Sequence, residues 1–192
     1  YARIRFEALT NLEPEIARRV LDRLLGTIGG HFYPIRYHLL VNLLKNIQKK
    51  KLLVSRTLAG CIILPQNGDI LVIREAGRCE ERKIIVGSWE DWDGRYRIRI
   101  TAPQMSQKQV FFIRPLRNNL SHNFILKNTN NTPVDLNPAV RRALPSIWDN
   151  RGLVCVPHLG YGRTKSNPAS VVGAQIEFLP KRPVTNAIFP VV

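Results

Sequence analysis

Acidic residues, cysteines and long apolar runs are all scarce in this chain, and each scarcity removes a class of protein. Only 14 Asp and Glu stand against 29 Lys and Arg, a net charge of +15 with a pI near 10.5. An excess of that size calls for a polyanionic partner, because the summed field draws and holds phosphate-rich surfaces. The cysteines, Cys61, Cys79 and Cys155, are odd in number and form no CxxC. They suit a reducing compartment better than a disulfide framework. No apolar stretch approaches the ~20 residues of a membrane-spanning helix. No segment sets a Lys-rich face against a Trp-rich one, which leaves a membrane surface behind nucleic acid as the partner. Also missing are an aromatic RNP strand, a KH loop and a zinc-finger spacing.

What is present divides by secondary-structure type. Residues 14–28 read as a helix, with Pro14 in its first turn and Asn11 or a neighbour as cap. Its apolar stripe is Ile16, Val20, Leu24 and Ile28, flanked by Ala17, Leu21 and Leu25, with Arg18, Arg19, Asp22 and Arg23 on the other side. Gly29-Gly30 ends it. A second helix after Tyr33-Pro34 carries Leu39, Leu40, Leu43, Leu44 and Ile47 and runs out into Lys49-Lys50-Lys51. Beyond this the pattern is of strands. Residues 61–64 and 70–73 flank Asn67-Gly68, a strong hairpin signal, and both runs are apolar enough to be buried on two sides. Asp93-Gly94 is a second turn signal, before "RYRIRI", where Tyr96, Ile98 and Ile100 alternate with Arg95, Arg97 and Arg99. Further strands are expected at 109–113, 152–156, 172–178 and 187–192, with an Asn-rich loop at 117–138 and a short helix at 138–144. The fold class is therefore α+β: a short helical segment (1–52), then a mostly antiparallel, sandwich-like β-rich domain (53–192).

Four groups of residues invite a catalytic or metal reading, and each has a plainer one. Cys61 as a nucleophile needs an accessible, electropositive setting and a base, yet it opens the core-like run Ile62-Ile63-Leu64. Cys155 and His158 have C-x-x-H spacing, but a tetrahedral site needs two more ligands, and Cys79, His31, His38 and His122 supply no matching pair. Glu90, Asp91 and Asp93 in "SWEDWDGR" would suit an acid–base pair or Mg²⁺, although a Trp-anchored turn explains them without chemistry. Gly29-Gly30 has neither the downstream Lys-Ser/Thr nor the preceding strand of a phosphate loop, and reads as a helix C-cap.

The basic residues remain, and they cluster. Lys49, Lys50, Lys51 and Arg56 mark the junction between helices and strands; Arg74, Arg78, Arg82 and Lys83 follow the hairpin. Arg95, Arg97 and Arg99 form a row with alternate side chains roughly 7 Å apart, close to the phosphate interval of a nucleic-acid strand. Arg141 and Arg142 lie on the short helix, and Arg163 and Lys165 in the Gly-rich "LGYGRTKSN". Such side chains give affinity and salt dependence but little sequence reading.

Four stretches carry a family resemblance: "RTLAGCIILPQNGDILVIREAGR" (56–78), "WDGRYRI" (92–98), "ALPSIWDNRGLVCVPHLGYG" (143–162) and "FLPKRPVTNAIF" (178–189). In this order they resemble the C-terminal region of bacterial tRNA(Ile)-lysidine synthetases, especially the alphaproteobacterial type. "LEPEIARRVLDRLLGTIGGHFYPIRYHLLVNLL" (12–44) is similar to the helical segment before that region. The resemblance implies a cytoplasmic protein whose partner is an isoleucine tRNA. That family uses ATP, with Mg, to adenylate the wobble cytidine and then attach lysine, in an N-terminal PP-loop domain with an S-G-G-x-D-S signature. "TIGGHF" (27–32) has the glycines without the flanking Ser, Asp and Ser. The expectation is a tRNA-holding region with no cofactor of its own, inactive alone, with the catalytic domain upstream of Tyr1. Arg74, Arg95 and Trp148-Asp149 stand at the family's motif positions. Two other readings stay open: a stand-alone enzyme using Cys61 or Cys155/His158, and an interaction domain that dimerises through Leu40 and Leu44 of the helical pair.

Overall fold

A computed structural model of the chain describes residues 1–49, 54–101, 110–118, 136–163 and 173–185. The expected strand at 187–192 and most of the expected loop at 117–138 lie outside them. Two compact units emerge, Tyr1–Glu75 with Leu179–Val192, and Ala76–Phe178. The change from helix to strand after residue 52 thus falls within the first unit, because compactness follows packing and not secondary-structure type.

In the first unit, β1 (Ala2–Arg5) leads into α1 (Phe6–Thr10), α2 (Pro14–Gly29) and α3 (Tyr37–Gln48), then β2 (Arg56–Leu58), β3 (Cys61–Gln66) and β4 (Asp69–Arg74). The strands form one antiparallel sheet in the order β1-β4-β3-β2. The hairpin turns at Asn67 (φ 50) and Gly68 (φ 79), the two left-handed residues that a type I′ turn requires. Helices and sheet close on a single core containing Leu21, Leu25, Leu40, Leu44, Ile47, Ile63 and Val72. Each such leucine, fully withdrawn from water, contributes about 1.5–3 kcal/mol. The helical stripes are rotated slightly from the sequence pattern. Ala17, Leu21, Leu25 and Ile28 are buried while Ile16 is 48% exposed, and Leu39 likewise sits at the rim. Asn11 does not cap α2; it is the C-cap of α1, and the N-cap of α2 is Glu13, without a side-chain bond. Glu15 strengthens that end instead, accepting from Arg18 (2.7 Å) and Arg19 (2.8 Å), which hold its carboxyl down at about 2.

Gly30 does end α2, at φ 70, with its N–H returning to the carbonyl of Gly26. Gly29 has a separate job. A Cβ there would stand 2.4 Å from the backbone oxygen of Ala59 and 2.8 Å from the His31 ring, so the end of α2 lies directly against the β2–β3 turn. Gly29→Ala should therefore cost about 1–3 kcal/mol, the range for overpacking, since the opposing atom is backbone and cannot swing away. Gly77→Ala, with nothing within 4 Å, should stay within about 0.5 kcal/mol of the parent. Urea midpoints of the two variants check this, and equal midpoints would refute the close approach.

The second unit contains β5 (Arg82–Ile84), β6 (Trp89–Trp92), β7 (Tyr96–Thr101), β8 (Phe111–Pro115), the short helix α4 (Pro138–Arg142), β9 (Pro145–Asp149), β10 (Gly152–Val156), β11 (Tyr161–Gly162) and β12 (Gly173–Phe178). They make two antiparallel sheets, β11-β10-β9-β8-β5 and β12-β7-β6. Ile98 and Ile100 from the smaller sheet meet Phe111, Ile113, Ile147 and Val154 from the larger in one core. This is the expected sandwich-like packing of inner faces. Trp92 is 2% exposed and its indole N–H donates to the Glu80 carbonyl at 2.9 Å, which anchors the β6–β7 turn. Asp93 and Gly94 form that turn at φ 56 and 63. The α+β class with a β-rich domain holds.

Candidate nucleic-acid interface

The residues at the motif positions hold the fold. Arg74, expected in the basic cluster that follows the hairpin, is 6% exposed, and its Nη1 donates to the Gly60 carbonyl at 3.0 Å. It folds back over the Ala59-Gly60 turn, where both residues have positive φ. Arg95 is 2% exposed. Its Nε donates to Asp93 Oδ2 at 2.7 Å, and its guanidinium lies over the Tyr96 ring, 4.9 Å from the centroid. Trp148 lies in the larger sheet with its N–H on Ser146 Oγ at 2.8 Å and the Arg114 guanidinium 3.8 Å from its ring centroid. Asp149 accepts from the Arg151 backbone at 2.8 Å and pairs with Arg163. A motif made of turn anchors keeps its spacing because the turns demand it.

The expected Arg95-Arg97-Arg99 row is accordingly shorter. Strand alternation starts only at Tyr96, so Arg95 belongs to the turn and leaves the outer face. Arg97 faces out but lies between Asp91 and Glu177 in the register, with Asp91 3.2 Å from its Nε. Arg99 lies between Trp89 and Gln175, two uncharged neighbours, and Trp89 is 38% exposed. Its charge is the less neutralised of the two.

A second group forms around α4. The backbone N–H of Arg117 donates to the Arg142 carbonyl at 2.8 Å, and Leu116 bonds Leu144 at 2.9 Å. These bonds set Arg117 beside Arg141 and Arg142, with Arg142 Nε on Asn118 Oδ1 at 2.8 Å. Arg117 and Arg142 are exposed. The sequence reading missed Arg117, which adjoins the helix only through non-local pairing. Lys49 and Arg56 are exposed in the first unit, Arg78 and Lys83 in the second, and Arg82 donates to the Asp91 carbonyl at 2.6 Å. Lys50, Lys51 and Lys165 lie outside the described residues.

The enzyme readings find little geometry. Cys61 is fully buried with its Sγ 3.6 Å from the Leu25 carbonyl, so it is a packing position. Burial pushes the Cys155 thiol up to about 12. His158 contacts Tyr96 edge-on, the ring centroids 5.6 Å apart. Among the described residues, no three His, Cys, Asp or Glu side chains gather as a metal site. A thiol displaced from about 9 to about 12 carries roughly 1,000-fold less thiolate at pH 8. We therefore expect Cys155 to resist iodoacetamide in the native protein and to react on unfolding, as read by mass spectrometry. Rapid native labelling would contradict its burial.

The dimerisation reading loses its surface, because Leu40 and Leu44 are spent on the first unit's own core. No described helix is long and apolar enough to cross a membrane.

Fold and charge define a class first: a strongly basic α+β chain whose motif residues are structural and which exposes arginines such as Arg56, Arg117 and Arg142. No family model matches the chain, and no solved structure matches it significantly. Among curated proteins, the chain is similar to the tRNA(Ile)-lysidine synthase of Wolbachia pipientis wMel, 28% identical over 173 residues, 89% of this chain but 38% of that protein. The tRNA(Ile)-lysidine synthase of Orientia tsutsugamushi is 26% identical over 162 residues, 82% of this chain and 36% of its own length. That of Ruegeria pomeroyi is 36% identical over 88 residues, 46% of this chain. The resemblance read from the motifs therefore holds over most of the chain, which spans little more than a third of the relatives it matches.

Proposed function

We propose that this chain is the tRNA-binding C-terminal region of an ATP-dependent tRNA(Ile)-lysidine synthetase. It grips an isoleucine tRNA through phosphates and presents the wobble cytidine to a catalytic domain elsewhere in the protein, where ATP and Mg act. The observation that carries this reading is the similarity of 89% of the chain to about 38% of such an enzyme. The net charge of +15 supports it independently. The contribution to catalysis is positional: a base held in place converts an encounter into a unimolecular step. Arg99, Arg117, Arg141 and Arg142, with Lys49 and Arg56, are the side chains best placed for phosphates. A reducing cytoplasm suits three buried cysteines.

The test is equilibrium binding of an isoleucine tRNA transcript to the chain across a salt series. Affinity that falls steeply with salt supports the reading, and absent or salt-insensitive binding overturns it.

A further inference from the structure

The α2–α3 connection is built unlike an ordinary polar loop. Residues 31–38 read His-Phe-Tyr-Pro-Ile-Arg-Tyr-His, and Phe32, Tyr33 and Tyr37 are 64%, 77% and 65% exposed. Ile35, in their midst, turns inward against the core. The outward aromatics are not a consequence of a loose backbone. The Ile35 N–H donates to Asp22 Oδ1 at 2.9 Å, and Arg182 reaches back to donate to the Tyr33 carbonyl at 3.1 Å. Arg182 also pairs with Asp22 at 2.6 Å and accepts at its own carbonyl from the Thr27 hydroxyl. The His31 N–H donates to the Gly26 carbonyl at 3.2 Å, and its ring nitrogen lies 2.8 Å from the Ala59 oxygen. A backbone held at 31, 33 and 35 thus displays three aromatic rings to water.

Two of the rings contact each other and the third contacts a cation. Phe32 and Tyr33 meet edge to face with centroids 5.3 Å apart, and the Arg18 guanidinium lies 5.0 Å from the Tyr37 ring centroid. Arg36 and His38 are exposed on the same short stretch. Exposed aromatic faces with a guanidinium on the same stretch suit unstacked nucleobases with their phosphates, since every base has a π-face. Arg18 is already paired with Glu15, but a neutral apolar partner would offer nothing to the exposed Arg36, whereas an RNA supplies both a base and a phosphate.

We infer that the 31–38 segment, from the α2–α3 loop into the first turn of α3, is a stacking platform for an unpaired nucleotide of the bound RNA, with Phe32 and Tyr33 taking the base and Arg36 an adjacent phosphate. This rests on the tRNA-binding reading and adds to it a contact to a base.

The experiment compares the 192-residue chain with Phe32→Ala/Tyr33→Ala and with Phe32→Tyr/Tyr33→Phe. Each is titrated with tRNA transcript and with a fully paired RNA duplex. The alanine variant should bind tRNA about 10- to 100-fold more weakly, with an unchanged salt slope because stacking releases no counterions, and should bind the duplex as the parent does. The aromatic swap should restore tRNA affinity. Unaltered thermal midpoints exclude misfolding, and ultraviolet crosslinking of a 4-thiouridine-substituted tRNA should map to residues 31–38. If the parent binds tRNA but the alanine variant loses nothing, or loses tRNA and duplex equally, the platform falls and the tRNA reading stands. If the parent binds neither RNA, both fall.

Discussion

The affinity of this chain for tRNA should drop roughly 1,000-fold between 50 and 200 mM monovalent salt. About six phosphate contacts, each releasing most of one counterion, give a slope near −5 in log affinity against log salt. A fourfold rise in salt then costs about three decades. Six is a modest demand on a chain that exposes Lys49, Arg56, Arg117 and Arg142 and half-exposes Arg99 and Arg141. The slope also locates the contacts. Arg117→Ala/Arg142→Ala should flatten it by about 2, because two counterions fewer are released. Changing Arg97 should matter less, since Asp91 and Glu177 already oppose its charge. A parent slope near zero would sink the phosphate model. A slope untouched by the double substitution would remove the α4 cluster from it.

The second large effect is on stability. Arg95→Ala should destabilise the sandwich by about 3–5 kcal/mol, because it strands the Asp93 carboxylate in the interior. The side chains of Arg95 and Asp93 are 2% and 3% exposed, and Asp93 also accepts from the Cys79 thiol at 3.4 Å. With total stabilities of about 5–15 kcal/mol, such a loss brings a domain close to unfolding at room temperature. Replacing both partners, as in Asp93→Asn/Arg95→Met, should recover much of the loss because no buried charge is then left alone. Denaturant titrations measure each case. The contrasting outcome is an Arg95→Ala protein as stable as the parent but unable to bind tRNA, which would return Arg95 to the list of RNA contacts.

Arg95 also shows how far the sequence carries and where it stops. Its spacing from Arg97 and Arg99 is that of one strand face, and the expected row followed directly. The period of two applies only within the strand, however, and the strand begins at Tyr96. One residue earlier, the chain is still leaving the Asp93-Gly94 turn, and the side chain bends back onto the carboxylate beside it. Arg74 repeats the lesson at the other end of a strand, where its guanidinium closes over Gly60. β1 and β9 escaped the sequence reading for another reason. Each is a short run with a weak pattern of its own, and each becomes a strand by pairing with β4 or with β8 and β10.

The amino-acid order alone determined α2, α3 and α4, the two left-handed turns at Asn67-Gly68 and Asp93-Gly94, the core strands around them, the net charge and the family resemblance. All of these are written in short windows, as helical or strand periodicity, backbone conformations that particular residues favour, or composition. Only the tertiary structure decided which arginines meet water. It set Arg117 beside Arg142 through a backbone bond from the residues after β8 to α4. It brought Arg182 back to Asp22 across 160 positions, fixing a loop whose aromatic rings then had to point outward. Contacts at that separation leave no periodic trace, because their geometry is set by the packing of elements and not by the spacing of residues along one of them.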